Sequence, residues 1–221
     1  MVSRSSALQV VDLDQPGAST DAEQRILDAA VVLVARWGVT KTALGDIAKE
    51  AGCSRATLYR SFPGGKRHLL LAVADRELQA AIAALVDAVA TADDLEDALT
   101  RALVVSARLL RDHDAAQFIL EHEPGLLLPF LGFHQVDRLY RRTAQVFGPH
   151  LERFLPADRA EWAAEWTARV FISFIFNPRE DLDLISIDDA RSLVEGFVIP
   201  AFVPMDCQPL STTHLLHPPT T

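Results

Sequence analysis

Between Arg55 and Arg60 the chain places two guanidiniums, a hydroxyl and a phenol within six positions: Arg55, Ala56, Thr57, Tyr59 and Arg60. Guanidiniums and phenols donate to phosphate oxygens. Short side chains such as Ala56 and Thr57 let a backbone approach base edges in a groove that admits one helix. Lys66 follows six residues later and Ser54 stands immediately before. The chemistry implied is recognition of a polyanion rather than bond making.

Such a set works only if its segment is held rigidly, and the flanking residues supply the means. The stretch Thr42–Lys66 reads as two short helices and a tight turn. Thr42 is an N-cap candidate for the first helix, and Asp46 lies in its opening turns. Ile47, Ala48 and Ala51 form its apolar face. Gly52 ends the helix in the left-handed conformation that other residues pay for sterically. Ser54 then caps the second helix. Cys53 and Leu58 are the apolar pegs between the two. An earlier helix, capped by Thr20 or Asp21 and stopped by Gly38, carries Ile26, Ala30, Leu33, Val34 and Trp37 on one stripe and braces the pair.

The ordered set Thr42, Ile47, Ala48, Ala51, Gly52, Ser54, Thr57, Leu58, Tyr59, Phe62, Lys66, Leu69 and Leu70 resembles the helix-turn-helix of the TetR family of bacterial transcription regulators, over about residues 22–76. Two features depart from its pattern. The loop Pro63-Gly64-Gly65-Lys66 is one residue longer than usual, and Arg67 stands where an acidic residue is common. The resemblance implies that Thr42, Tyr59 and Lys66 hold phosphates. Arg55, Ala56 and Thr57 then meet base edges, with Ser54 and Arg60 completing the DNA-binding set. It also implies a homodimer on double-stranded operator DNA, a repressor released by an apolar small-molecule effector.

Charge distribution agrees with an anionic partner. The chain is acidic overall, at −9, yet Arg36–Arg67 carries seven bases and two acids, a net of +5, leaving −14 elsewhere. A positive field confined to one segment is an electrostatic footprint. With 49% hydrophobic residues in 221, the chain can bury a substantial core. Two cysteines without framework spacing point to reduced thiols and a cytoplasmic protein. No apolar run is long enough to span a bilayer, so no membrane insertion is expected.

Sparse glycine and scarce strand-type alternation predict an all-α fold. Residues 1–19 read as a flexible arm, 20–65 as the helix-turn-helix DNA-binding domain, 66–206 as a larger helical ligand-binding and dimerisation domain, and 207–221 as a flexible tail. A long helix from about Lys66 to Val89 links the two domains. Helices follow at about 95–110, 115–122, 126–147, 158–176 and 190–202. Gly148-Pro149 is expected to end the third of these, and Pro200 to kink or end the last. The stripe Trp162, Trp166, Val170, Ser173 and Phe174 makes the helix at 158–176 strongly amphipathic. The last two helices are more broadly apolar than a half-buried helix needs, which predicts a four-helix dimer interface.

Aromatic residues of the C-terminal part, with a few polar handles, suggest a pocket. The candidates are Gln117, Phe118, His122, Phe130, Phe133, His134, Trp166 and Phe174. The ligand-type residues from His113 to His134 lack converging metal spacing, so no metal or other cofactor is expected. No nucleophile elbow, phosphate loop or dinucleotide fingerprint occurs, and an enzyme is not expected. The alternative function is a helical carrier of apolar ligands without DNA regulation.

Overall fold

The computed structural model describes residues 21–126 and 133–202, and every regular element among them is a helix. The expected arm and tail, Cys207, Phe130 and the capping option Thr20 lie outside the described residues. The helices are α1 (Asp21–Lys41), α2 (Leu44–Glu50), α3 (Arg55–Ser61), α4 (Gly65–Ala90), α5 (Leu95–Arg111), α6 (Asp114–His122), α7 (Phe133–Leu151), α8 (Ala157–Phe176) and α9 (Ile187–Leu193). A 3-10 turn at Pro124–Leu126 follows α6. A π turn at Val194–Val198 and a 3-10 turn at Ile199–Ala201 follow α9.

Two separate cores form. In the first, Ile26, Ala30 and Leu33 of α1 meet Ile47 and Ala48 of α2, Leu58 of α3 and Leu69 of α4. In the second, Val89 of α4 joins Leu99 and Leu103 of α5, Ala160, Ala163 and Ala164 of α8, and Leu193, Val194 and Val198 at the C-terminal end. Helix α4 alone contributes to both. Leu69 and Val89 are twenty residues apart, about 30 Å at a rise of 1.5 Å per residue, and both are almost fully buried.

The far end of α4 is fastened by a cation. Arg153 donates to the carbonyls of Val89, Ala90 and Ala92 at 2.7, 2.9 and 2.8 Å, satisfying acceptors a helix C-terminus leaves open. A polar chain runs across the near half. Arg76 of α4 pairs with Asp28 of α1 at 2.6 Å and with Glu77 at 2.7 Å, and Glu77 meets His113 at 3.2 Å. His113 in turn caps α6, its Nδ1 accepting from the Ala116 amide at 3.1 Å.

Several expectations need correction. Helix α7 does not stop at Gly148-Pro149 but runs through both to Leu151. Pro149 lies in the last turn, where the ladder is ending and one missing N–H costs least. Gly148 is needed for another reason: a Cβ there would lie 2.9 Å from Glu161 Cγ and 3.1 Å from its Cα, so α7 and α8 are in close approach. On α8 the inward face is Ala160, Ala163, Ala164 and Thr167, while Trp162 and Trp166 remain exposed. The three alanines pack in the second core with Leu99, Leu103 and Val194. The last helix is also shorter than expected. Pro200, which cannot donate, sits in a 3-10 turn preceded by the π turn.

Candidate nucleic-acid interface

The turn between α2 and α3 forms as the residues require. Gly52 takes φ 64°. The Cys53 amide donates to Ala48 O at 2.9 Å and the Gly52 amide to Lys49 O at 3.2 Å, the paired bonds of a glycine-terminated helix. Ser54 caps α3, its Oγ accepting from the Thr57 amide at 3.0 Å. Leu58 is buried between the helices. With that face pinned, Arg55, Ala56, Tyr59 and Arg60 are left exposed, and Thr57 lies half-buried with its hydroxyl 3.0 Å from that of Ser54.

Arg55, Tyr59 and Lys66 come together. They share a cleft of about 460 Å³ with Lys41, and its floor is the start of α2. The Arg55 guanidinium folds back over Gly45, close enough that a Cβ there would collide with it. Arg55 thus stands with the phenol and the two ammonium groups rather than beside Ala56 and Thr57. Lys66 donates to Thr40 O at 3.2 Å.

Thr42 departs from its expected capping role. Ala43 is the residue that precedes α2, and it offers no side-chain cap. Thr42 is 1% exposed, and its hydroxyl donates to Gly38 O at 2.7 Å. The reason is the break in α1. Gly38 adopts φ 80° and ψ 171°, a conformation open essentially to glycine alone, and Thr42 turns inward to bond the carbonyl at that break. Thr42 still borders the cleft that holds Lys41, Tyr59 and Lys66.

The break has a second occupant that sequence reasoning passed over. Glu123, just past α6, accepts from the amides of Val39 and Thr40 at 2.6 and 2.9 Å. Partial burial alone would raise its pKa. Hydrogen bonds from Thr40 and Val39, with Lys66 nearby, outweigh that and hold the carboxyl below the usual glutamate range. In the sequence Glu123 is one more acid beside His122. Only the packing of α6 against α1 brings it to two amides freed by Gly38. Because the folded-state pKa is lowered, the clamp stabilises fully above the ordinary glutamate range and is lost as pH falls through the lowered value. Glu123→Gln should flatten the acid limb of a stability–pH curve. It should also cost about 1–3 kcal/mol at neutral pH, because the amide cannot accept from both N–H groups as the carboxylate does. Urea titrations at several pH values measure both effects.

The pocket candidates do not converge. An apolar cavity of about 320 Å³ lies among α4, α5, α7 and α8, walled by residues such as Leu78, Leu85, Leu103, Val146, Phe147 and Phe171. Among the described candidates, Gln117, Phe118, His122, Trp166 and Phe174 do not line it. Gln117, Phe118 and His122 border a polar surface cleft between α1 and α6, where Phe118 stacks on His122 at 4.4 Å. Trp166 lies on the outside of α8 and donates to Phe197 O at 3.2 Å. Phe174 packs against the second core. The side chains of Phe133 and His134, like Phe130, lie outside what the structure describes. Two other aromatics of the same region, Phe147 and Phe171, do line the cavity, whose wall is otherwise mostly aliphatic. Among the described residues, no three His, Cys, Asp or Glu side chains gather at metal-binding distance, and no helix is long and apolar enough to cross a membrane.

Residues 26–73 match the family of bacterial regulatory proteins described as the tetR family. An uncharacterised helix-turn-helix-type transcriptional regulator of Mycobacterium tuberculosis (strain H37Rv), Rv1255c, is 28% identical over 186 residues, 83% of this chain and 86% of its own. The transcriptional repressor KstR of Rhodococcus jostii is 35% identical over 81 residues, 35% of this chain and 38% of its own. Among solved structures, the TetR family repressor AlkX of Dietzia sp. strain DQ12-45-1b superposes with a TM-score of 0.58 at 26% identity, covering 78% of this chain and 91% of that one. The reading helices, the relatives named as regulators and the shared arrangement of helices agree: residues 26–73 are a helix-turn-helix of the tetR type, and the chain is similar along most of its length to DNA-binding transcriptional regulators rather than to enzymes.

Proposed function

We propose that the chain is a ligand-released repressor acting as a homodimer. Residues 20–65 read operator DNA, and 66–206 bind the effector and the second copy. The observation that carries this reading is the placement of α4. Its first turn brings Lys66 to the cationic cleft, and its later turns, from Leu78 to Val89, wall the apolar cavity. A molecule that enters the cavity and favours one position of α4 thereby favours one position of the reading head. Coupling of about 1–3 kcal/mol changes operator affinity 5–150-fold.

In the DNA complex Lys66, Tyr59, Arg55 and Lys41 hold phosphate, while Ala56 and Thr57 approach base edges and Arg60 guards the groove wall. Two α3 helices in successive major grooves require half-sites about 34–36 Å apart, or a multiple. The second copy docks on the outer face of α8 and the turns after α9, where Trp162, Trp166 and Phe197 are 53, 37 and 65% exposed. Clustered large apolar residues in solvent mark an association surface. An apolar effector is supported by the aliphatic cavity wall and by AlkX, described as implicated in the biodegradation of n-alkanes.

The test is fluorescence anisotropy against the duplex upstream of the chain's own gene, repeated over a range of salt. Wild type should bind, and Lys66→Ala should weaken binding to specific and random duplex alike. Loss of one phosphate contact should reduce the salt slope by about one unit. Wild-type indifference to that duplex and to a panel of genomic fragments would sink the reading.

A further inference from the structure

The cavity among α4, α5, α7 and α8 is hydrocarbon on nearly every side, with one charged exception. Arg142 of α7 forms part of its wall, and the Nε atom of that guanidinium has no solvent access and no hydrogen-bond partner among the described residues. Three other guanidiniums are paired, Arg169 with Glu165, Arg101 with Asp97 and Arg76 with Asp28, whereas Asp75 Oδ1 on α4 and Thr100 Oγ1 on α5 are buried without a partner among the described residues, as Arg142 Nε is. An orphaned guanidinium N–H beside an apolar chamber is costly unless something supplies an acceptor. The wall hydroxyls of Ser106, Thr143 and Thr167 could accept, but none is hydrogen-bonded to that Nε.

The shape of the cavity specifies the rest of the occupant. Arg142 and Leu151, both on α7, line it nine residues apart, about 13 Å along the helix. Leu151 marks the end near Val89, because Arg153, two residues on, is bonded to the Val89 carbonyl. The lining residues Leu78 to Val89 of α4 span about 16 Å. The chamber is therefore elongated, charged where Arg142 stands and aliphatic towards Leu151 and Val89.

From this geometry, and resting on the effector reading above, we infer that the cavity binds an unbranched aliphatic carboxylate, with the carboxylate on Arg142 and the alkyl tail running along α4 towards Leu151 and Val89. A carboxylate can meet a guanidinium through two parallel hydrogen bonds and satisfy the orphaned Nε. A neutral alkane would desolvate the guanidinium further without pairing it, and an alkylammonium would be repelled.

The experiment is isothermal titration calorimetry on the full chain with dodecanoate, dodecan-1-ol and dodecylamine, below their aggregation limits. Dodecanoate should bind about tenfold or more tightly than the alcohol, the ratio expected of a charge-assisted pair, and the amine should bind weakest. Arg142→Met should bring dodecanoate down to the level of the alcohol while leaving the alcohol unchanged. Arg142→Lys should keep part of the preference, and Arg142→Gln serves if the methionine variant melts early. Ala168→Phe, which fills the chamber, should abolish binding of both. Equal binding of acid and alcohol by wild type overturns the inference and leaves the apolar effector reading standing. So does a preference that survives Arg142→Met and Arg142→Gln. Failure of all three amphiphiles to bind overturns both.

Discussion

Gly38→Val should destabilise the protein by at least about 3 kcal/mol, summing backbone strain and overpacking. Two independent costs meet at this position. The backbone conformation, φ 80° and ψ 171°, is one that β-branched residues scarcely adopt. The added Cβ would also lie 2.5 Å from Phe118 Cε1 and 2.8 Å from Glu123 Oε2, so the ring and the clamping carboxylate must both retreat. If the backbone relaxes instead towards ordinary helix, the Val39 and Thr40 amides turn away from Glu123. Either way the seam between α1 and α6 opens. In a chain of this size the loss corresponds to a fall in melting temperature of roughly 6–12 °C. Gly196→Ala is the matched control, because nothing lies within 4 Å of a Cβ there and the backbone is not left-handed. Calorimetric scans of the two variants check the contrast. Equal melting temperatures would mean that the break at Gly38 is not held by packing.

Phe197→Asp should have the larger effect on DNA. The ring is 65% exposed, so its removal leaves no hole in the protomer, and the variant should melt within a few degrees of wild type. If the face it shares with Trp162 and Trp166 is the dimer surface, two-fold symmetry doubles the insult. Each copy brings a carboxylate to an apolar contact and faces the same carboxylate across the axis. A single reading head then binds its half-site without help from a tethered second one. The loss of that bivalency should weaken operator binding by about 10²–10⁴-fold. Sedimentation velocity should show a lighter species at micromolar concentration, and anisotropy should show the weakened binding. A variant that sediments as wild type does would place the dimer contact elsewhere.

The two mutations probe parts of the molecule that differ in how visible they are in one dimension. The reading head was legible because its determinants are local. Gly52 ends one helix, Ser54 caps the next, and Leu58 must face Ile47 and Ala48 given only those two facts. The inward face of α8 was not legible because the residues with the strongest apolar signal are not the buried ones. Alanines are buried in the second core, and the tryptophans are left outside. The amphipathic pattern of a helix that must serve two partners cannot say which face belongs to which. Thr42 was misplaced for a related reason: as a residue type it caps helices, but the carbonyl freed at Gly38 offered its hydroxyl a nearer partner.

The sequence by itself determined the reading head, the confinement of positive charge to it and the all-helical class, because each follows from residues within a few turns of one another. Tertiary structure alone decided that Glu123 would grip Val39 and Thr40 across more than eighty residues. It also decided that Arg142 would line an aliphatic chamber built from four helices. In the sequence those two side chains are ordinary surface charges. Their roles arise from which groups the packing strips of water and from which partners it then leaves within reach.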